Sequence, residues 1–299
     1  MVSHIASLRH DAEEQSAALP PLQVEALNVA GTLMSGDHGR RRAGSGETFW
    51  QFRPYMQGDE RSQIDWRQSA RSQERLFIRQ KEWETAATVW IWRDLHQSLD
   101  YTSAQNRRVT KQRRIDVLAT ALCAVLTRGG ERVGLVDQLP QMFTGRGALD
   151  RFVMSLLAMK HPVVTDAERK LPLIPGRGHR SAVLLSDFFT PVEKIEASLK
   201  AAAADQVSGV LVQVLDPAEE VFPFKGRTEF KQTSNSTPYL FGDAASLNDS
   251  YKAKFTAHQS YIRDLCRHQG WQFMSHSTAQ PAQAALLNMY SALAPAKAV

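Results

Sequence analysis

The chain has 299 residues, of which 43% are hydrophobic and 22% charged, and its net charge is +5, an ordinary globular composition. Its two cysteines, Cys123 and Cys266, lie far apart in apolar-periodic stretches, which excludes a disulfide scaffold or cysteine zinc site and predicts two buried thiols in a reducing compartment. No apolar run approaches the ~20 residues of a membrane span, and the N-terminus is charged where an export signal is apolar, so we expect a soluble, cytoplasmic protein.

The first 75 residues are predicted to form an extension. Leu22 to Met34 has apolar residues at helical spacing and runs into the turn SGDHG. The glycine-rich loop RRAGSGETF follows; because it lacks the remaining residues of a dinucleotide fingerprint or a P-loop, we interpret it as a connector. The stretch FRPYMQGDERSQIDWRQSAR, from Phe52 to Arg71, then combines four arginines and three acidic residues with a Tyr and a Trp.

Beyond Leu76, apolar strands alternate with amphipathic helices. LFIRQKE predicts an edge strand, and the dense apolar runs Thr88–Asp94, Ser181–Phe189 and Ser208–Asp216 predict buried central strands. The segments EVFPF and TEFKQ predict a short hairpin. This alternation is typical of an α/β fold with a mostly parallel sheet and helices on both faces. We therefore predict an N-terminal extension of residues 1–75 and an α/β domain of residues 76–299.

The positive charge is concentrated in two places. His38 to Glu82 holds ten basic residues against six acidic ones, and Arg107 to Arg114 holds five basic residues and no acidic one. A basic nucleic-acid-binding face is therefore one alternative. However, both segments are short and the larger is interleaved with acids, whereas phosphate-binding faces are more one-sided, so the pattern favours solvated or salt-bridged surfaces.

Polar side chains follow two of the predicted central strands. Asp94, His96 and Ser98 come after the first, and Asp187 comes after the strand that begins at Ser181. In parallel sheets, function gathers at the carboxyl ends of the strands, so we expect Asp94 and Asp187 to face one crevice. Asp94, Ser98 and Asp187 would form a hard oxygen site suited to Mg²⁺ or Mn²⁺. The alternative is that each Asp caps the helix or turn after it.

This arrangement resembles the metal-ion-dependent adhesion site of von Willebrand factor A-like domains, which have a Rossmann-like fold. That site has Asp-x-Ser-x-Ser after the first strand and a later Asp. Here the motif is Asp94-x-His96-x-Ser98, with Asp187 as the later Asp. The resemblance implies a degenerate site, because His96 replaces a serine ligand and a neutral imidazole is a poor ligand for Mg²⁺.

The stretch after Phe52 resembles the hallmark segment of the bacterial family known as domain of unknown function 58. The arginine of the family pattern corresponds here to Arg61, which lies about one position away from the place that the pattern gives it. The matching residues are Arg53, Tyr55, Gly58, Asp59, Arg61, Ile64, Asp65, Trp66, Ser69, Ala70 and Arg71. The resemblance covers residues 35 to 290 and implies a von Willebrand A-like fold behind this signature segment. Members are often encoded beside MoxR-type AAA+ ATPases and are thought to act with them; no catalytic activity is established for the family.

The mixture of aromatic and charged residues in the signature segment predicts a clasp inside the fold. We expect Tyr55, Ile64 and Trp66 to be buried against the sheet, each contributing on the order of 1.5–3 kcal/mol. We expect Asp59 to cap a short helix, and Asp65 to pair with Arg53 or Arg71.

A protein-interaction function is favoured by this sequence. We expect an adaptor of a MoxR-type AAA+ ATPase that uses Asp94, His96, Ser98 and Asp187 as its partner-binding residues and catalyses no reaction. The alternatives are a metal-dependent hydrolase using Asp94 and Asp187, and the basic nucleic-acid binder. The sequence lacks G-x-S-x-G and H-E-x-x-H motifs, which weakens the hydrolase interpretation.

Overall fold

Two compact units make up the part of the chain that the computed structural model describes. One unit is Arg40–Ala86, and the other combines Met1–Gly39 with Ala87–Val299. The described residues are 22–23, 25–31, 48–56, 64–71, 76–82, 88–103, 109–136, 139–159, 169–176, 180–231 and 238–293. The predicted division between residues 75 and 76 stays a prediction.

The larger unit alternates strands and helices in chain order, after a helical stretch at residues 22–23 and 25–31. Its strands are β3 (Thr88–Arg93), β4 (Arg132–Leu135), β5 (Gln141–Phe143), β6 (Arg180–Ser186), β7 (Val207–Leu215), β8 (Thr228–Phe230), β9 (Tyr239–Phe241) and β10 (Trp271–Ser277). Its helices are α2 (Lys111–Arg128), α3 (Ala148–Ala158), α4 (Val192–Ala204), α5 (Pro217–Val221), α6 (Asn248–His268) and α7 (Ala282–Ala292). The smaller unit holds β1 (Thr48–Pro54), α1 (Trp66–Ser69) and β2 (Phe77–Glu82).

Six strands of the larger unit form one mostly parallel sheet, in the order β10-β7-β6-β3-β4-β5. Strand β5 is antiparallel to β4, whereas the other neighbours are parallel. Strand β4, the next in the chain, lies on one side of β3, and strand β6, which comes later, lies on its other side. A crevice opens at the carboxyl ends of strands where the strand order reverses in this way.

Alternate residues of the central strands pack into two different hydrophobic clusters. Val183 and Leu185 of β6 lie in the cluster that contains apolar residues of α2, α3 and α7. Ala182 and Leu184 of the same strand lie in the cluster that contains apolar residues of α4 and α6. Because successive strand residues point to opposite faces, helices cover both faces of the sheet. The prediction of a mixed α/β fold with a mostly parallel central sheet is confirmed.

The two cysteines are buried free thiols, as predicted. The predicted hairpin between EVFPF and TEFKQ is wrong. The segment around Val221 is the short helix α5, whose N-cap Asp216 forms a capping box with Glu219, and the hairpin is instead made by β8 and β9. The predicted edge strand is β2, which pairs antiparallel with β1 in a separate two-stranded sheet. Among the helices described, none is long and apolar enough to cross a membrane.

Close packing between β6 and β7 generates the first testable prediction. A Cβ atom on Gly209 of β7 would lie 1.9 Å from the Ala182 carbonyl oxygen of β6. We expect Gly209→Ala to lower the free energy of unfolding by about 1–3 kcal/mol or more, because a backbone atom of the neighbouring strand has to move. Urea denaturation measures the effect. The control is Gly242→Ala, where a Cβ would meet nothing within 4 Å; equal stability of the two variants would contradict the prediction.

Candidate functional site

The carboxyl ends of β3 and β6 bring two acidic side chains together. Asp94 follows β3 and Asp187 follows β6, and the strands are neighbours in the sheet. The backbone N–H of Asp94 donates to the carbonyl of Leu185, which fixes the two strand ends side by side. Asp94 is 5% exposed and Asp187 is completely buried. Two buried carboxylates this close need positive charge to remain ionised.

Arg169 supplies the first positive charge. Its guanidinium contacts both carboxylates: Nε donates to Asp94 Oδ2 at 2.8 Å, and Nη2 donates to Asp94 Oδ2 and, at 2.5 Å, to Asp187 Oδ1. Nη2 also lies 3.1 Å from the hydroxyl of Ser186. The guanidinium therefore bridges the ends of two central strands, from a position 75 residues after Asp94 and 18 residues before Asp187.

Lys111 supplies the second positive charge. Its Nζ lies 3.0 Å from Asp187 Oδ2 and 2.5 Å from Glu219 Oε1, and its side chain is 1% exposed. Lys111 is the first residue of α2, where the helix dipole disfavours a cation. The two carboxylates offset this cost. We call Asp94, Lys111, Arg169, Asp187 and Glu219 the ionic cluster.

The charge states of the ionic cluster follow from burial and neighbouring charges. Burial raises the pKa of Asp187, but the positive charges of Lys111 and Arg169 outweigh that effect, and its pKa falls below the ordinary value. Burial lowers the pKa of Lys111, yet Asp187 and Glu219 raise it above the ordinary value. Glu219 faces a single ammonium, so burial dominates and raises its pKa. Asp187 and both cations are therefore charged at neutral pH, and Glu219 is protonated more easily than Asp187.

Hydroxyl and backbone N–H groups add further hydrogen bonds to the two aspartates. Ser98 Oγ donates to Asp187 Oδ2 at 2.8 Å, and Ser186 Oγ donates to Asp94 Oδ2 at 2.7 Å. His96 donates its backbone N–H to Asp94 Oδ1 at 2.9 Å. Its ring Nδ1 accepts from the backbone N–H of Ser98, so the imidazole caps the short 3₁₀ helix Gln97–Asp100.

The predicted site residues Asp94, His96, Ser98 and Asp187 therefore lie in one place, joined by hydrogen bonds. Their arrangement does not fit a divalent metal ion. Arg169 and Lys111 already bind the carboxylate oxygens that Mg²⁺ or Mn²⁺ would need, and a further cation there would meet two buried positive charges. In the described part of the chain, no group of three or more His, Cys, Asp or Glu side chains is placed to hold a metal ion.

Sequence reasoning missed Lys111, Arg169 and Glu219. Lys111 lies in the basic segment Arg107–Arg114, which the sequence favours as a surface. The structure buries Lys111 and ties its neighbour Arg114 to the carbonyls of Thr278 and Gln280. A threonine N-cap directly followed by lysine is the one available signal, because it places the ammonium at a helix start. Arg169 carries no comparable signal.

In the signature segment, the structure describes the side chains of residues 54–56 and 64–71. Ile64 is buried and Tyr55 is half-buried, but Trp66 is 64% exposed, so the expectation that Trp66 is a core residue is wrong. The reason is local: Trp66 opens the one-turn helix α1 and lies on its exposed side. Gly58, Asp59 and Arg61, together with the side chain of Arg53, lie outside the described residues.

Asp65 and Ser69 organise the second half of the signature segment. The Asp65 carboxylate accepts from the backbone N–H of Gln68 and caps α1. The expectation that Asp59 caps the short helix carrying Ile64 and Trp66 is therefore wrong, because that helix begins at Trp66 with Asp65 as its N-cap. Ser69 is buried; its hydroxyl donates to the Asp65 carbonyl and accepts from the backbone N–H of Phe77 at the start of β2. These bonds, in place of the expected ion pair with exposed Arg71, tie the end of α1 to the start of β2.

These features define a mixed α/β protein whose mostly parallel sheet carries a buried ionic cluster at its carboxyl edge. The chain belongs to the family described as "Protein of unknown function DUF58", which it matches over residues 51–261. The match includes the whole signature segment and all five members of the ionic cluster.

Similar proteins include the "Uncharacterized protein Rv1480" of Mycobacterium tuberculosis and the "Uncharacterized protein Mb1516" of Mycobacterium bovis. Each is 26% identical over 293 residues, covering 91% of this chain and 88% of the relative. Among solved structures, an aerotolerance-related membrane protein from Bacteroides fragilis matches with a TM-score of 0.43 and 12% identity, and BatB from Bacteroides thetaiotaomicron with 0.35 and 15%. Both matches cover 69% of this chain and 98% of the solved chain.

The ionic cluster generates a prediction about Arg169. Arg169→Ala leaves Asp94 and Asp187 facing each other without their shared cation, so we expect a loss of about 3–5 kcal/mol in the free energy of unfolding. The same change removes the cation from Asp94 Oδ2, Asp187 Oδ1 and the hydroxyl of Ser186, so Mn²⁺ should raise the melting temperature of the variant. Differential scanning fluorimetry with and without Mn²⁺ measures both effects.

The control for this experiment is Arg267→Ala, which removes an arginine from an exposed pair with Asp264. We expect little change in stability and no response to Mn²⁺. Arg169→Ala and Arg267→Ala melting alike would show that the guanidinium between the aspartates is not a structural cation.

The signature segment generates a third prediction. Ile64→Ala should lower the free energy of unfolding by about 2–5 kcal/mol because it removes buried methyl groups. Trp66→Ala should change it by no more than about 0.5 kcal/mol, as is usual for exposed residues. Urea denaturation of both variants measures this difference; a loss for Trp66→Ala as large as that for Ile64→Ala would instead place the indole in the core.

Proposed function

We propose that this protein is a non-catalytic interaction module with a von Willebrand A-like fold that acts with a MoxR-type AAA+ ATPase. Membership of the DUF58 family, the mostly parallel sheet and the meeting of Asp94 and Asp187 at its carboxyl edge support the proposal. A cytoplasmic location remains a prediction of the sequence.

The observation that carries the proposal is the position of the Arg169 guanidinium. In an intact adhesion site of this kind, a metal ion between the acidic loops is completed by a carboxylate of the partner. Here Arg169 bridges Asp94 and Asp187 from inside the protein. Recognition would therefore proceed without metal, and the buried aspartates would act by holding the loop Leu95–Ser98 in place while its half-buried residues meet the partner.

The chemistry of the ionic cluster also supports a non-catalytic role. Ser98 has a single hydroxyl proton, and its bond to the Asp187 carboxylate is charge-assisted and therefore stronger than the alternative bond to the ring Nδ1 of His96. The hydroxyl of Ser186 is likewise committed to Asp94. Burial raises the pKa of the Cys123 and Cys266 thiols to about 12, which keeps them protonated and poorly nucleophilic.

Metal-independent binding is the test of this proposal. The purified protein is treated with EDTA, desalted and mixed with the MoxR-type ATPase of the same organism, so that the nucleotide site of the ATPase keeps its Mg²⁺. We expect co-purification of the two proteins in equal amounts with and without the EDTA treatment, because Arg169 stands where a metal ion would bind.

Two results would contradict the proposal. If the untreated protein does not bind the ATPase, the proposed partner is wrong. If EDTA treatment abolishes binding and Mn²⁺ restores it, the metal-free mode is wrong. Arg267→Ala, an exposed substitution on α6, serves as the control for nonspecific loss of binding.

A further inference from the structure

An aromatic groove lies next to the ionic cluster, in the larger unit. It encloses a cavity of about 870 Å³ between the loop after β3, helix α5, the β8–β9 hairpin and helix α6. Six aromatic side chains line it: Tyr101, Phe222, Phe224, Phe230, Phe241 and Tyr251. We call this cavity the aromatic groove. Its volume falls within the range of about 300–1,000 Å³ that is usual for binding sites.

Contacts among the rings hold the groove in one shape. Phe222 stacks on Tyr251 with the ring centroids 4.6 Å apart and meets the Phe224 ring edge-on at 5.2 Å. Tyr251 also donates its hydroxyl to the carbonyl of Glu219 at 2.7 Å. Phe222 adopts a left-handed backbone conformation with φ of 50°, a conformation that costs an aromatic residue about 1–3 kcal/mol and persists where surrounding contacts enforce it. The groove is therefore preformed.

The acidic groups of the groove are already paired. Glu219 binds Lys111 from the ionic cluster, and Glu229 forms an ion pair with Lys231 at 3.3 Å. Lys254, which is exposed on α6, forms no ion pair within the described part of the chain. The groove thus presents an aromatic floor with one uncompensated ammonium, and that combination is complementary to an apolar side chain beside a carboxylate.

Exposed apolar residues also lie next to groove residues in the chain. Val221 of α5 and Tyr239 and Leu240 of β9 are 59%, 63% and 56% exposed. Such an exposed apolar surface around a preformed pocket is typical of protein-interaction sites. A bound side chain would fill the pocket while its flanking residues cover these neighbours.

We infer that the aromatic groove receives a short segment of a partner protein in which an aromatic or large aliphatic side chain stands next to Asp or Glu. The inference rests on the proposed interaction function, which makes the occupant a protein. The apolar side chain would lie on Phe222, Phe230 and Tyr251, and the acid would pair with Lys254. Ser98 and Glu219 line the groove and also bond to the ionic cluster, so the cluster fixes one wall of the groove.

Capped tetrapeptides test the inference directly. The probes are acetyl-Asp-Phe-Leu-Glu-amide, the charge-reversed acetyl-Lys-Phe-Leu-Lys-amide and the apolar-deleted acetyl-Asp-Ala-Ala-Glu-amide, each titrated calorimetrically into the full chain. We expect the first to bind at least about tenfold more tightly than either of the others, a difference of about 1.4 kcal/mol. Equal binding of the three peptides, or no binding of the first up to about 1 mM, would overturn the inference.

Lys254→Glu provides the matching change in the protein. Because Lys254 is exposed, the variant should keep its fold. We expect it to lose affinity for the acidic peptide by about tenfold and to gain affinity for the lysine peptide. Lys252→Glu is the control, since Lys252 is exposed on the same helix but does not line the groove. Equal effects of the two substitutions would show that peptide binding responds to the net charge of the protein and not to Lys254 in the groove, and would overturn the inference.

The peptide titrations test the groove inference, and the ATPase co-purification tests the proposed partner, so each can be contradicted without the other. Loss of peptide selectivity with intact ATPase binding would overturn the groove inference alone. Peptide selectivity without ATPase binding would overturn the proposed partner and leave the groove as a docking site for another protein.

Discussion

The bridge that the Arg169 guanidinium makes between Asp94 and Asp187 holds the carboxyl edge of the sheet together. Without it, two buried carboxylates at the ends of neighbouring strands would repel each other, and one would have to take up a proton. Lys111 also forms an ion pair with Glu219, and Glu219 is part of the capping box at the start of α5. The loop after β3, helix α5 and the wall of the aromatic groove all depend on this charge balance.

The sequence predicted the strands and helices whose hydrophobic residues follow a regular pattern. Strands such as β6 and β7 are dense apolar runs, and their alternation with amphipathic helices is enough to indicate a mostly parallel sheet and the meeting of Asp94 with Asp187. The sequence did not predict their partners, because a lysine and an arginine that neutralise buried acids look the same in a sequence as surface residues. Arg169 is 75 residues from Asp94, and Lys111 is 76 from Asp187, separations that no local pattern reports.

The error at Trp66 has a physical reason of the same kind. A Trp beside Ile64 in a charged stretch is easily taken as a core residue, because large aromatic side chains dominate cores. Burial is decided by the direction in which a one-turn helix points, and that direction is fixed here by hydrogen bonds of Asp65 and Ser69 to the backbone. The short polar side chains of Asp65 and Ser69 thus set the conformation of this segment, whereas Trp66 is exposed to solvent.

The long sequence separations within the ionic cluster also bear on the order of folding. Lys111 joins Glu219 across 108 residues, so the cluster assembles when β3, α2, β6 and α5 are all in place. Desolvating its charges earlier would be costly, because an unpaired ion has no compensating partner. For this reason we expect the cluster to close late, after the apolar sheet has formed, and to be lost early in local opening at the carboxyl edge. The carboxyl edge of the sheet would then be the part of the larger unit most sensitive to incomplete folding of the chain.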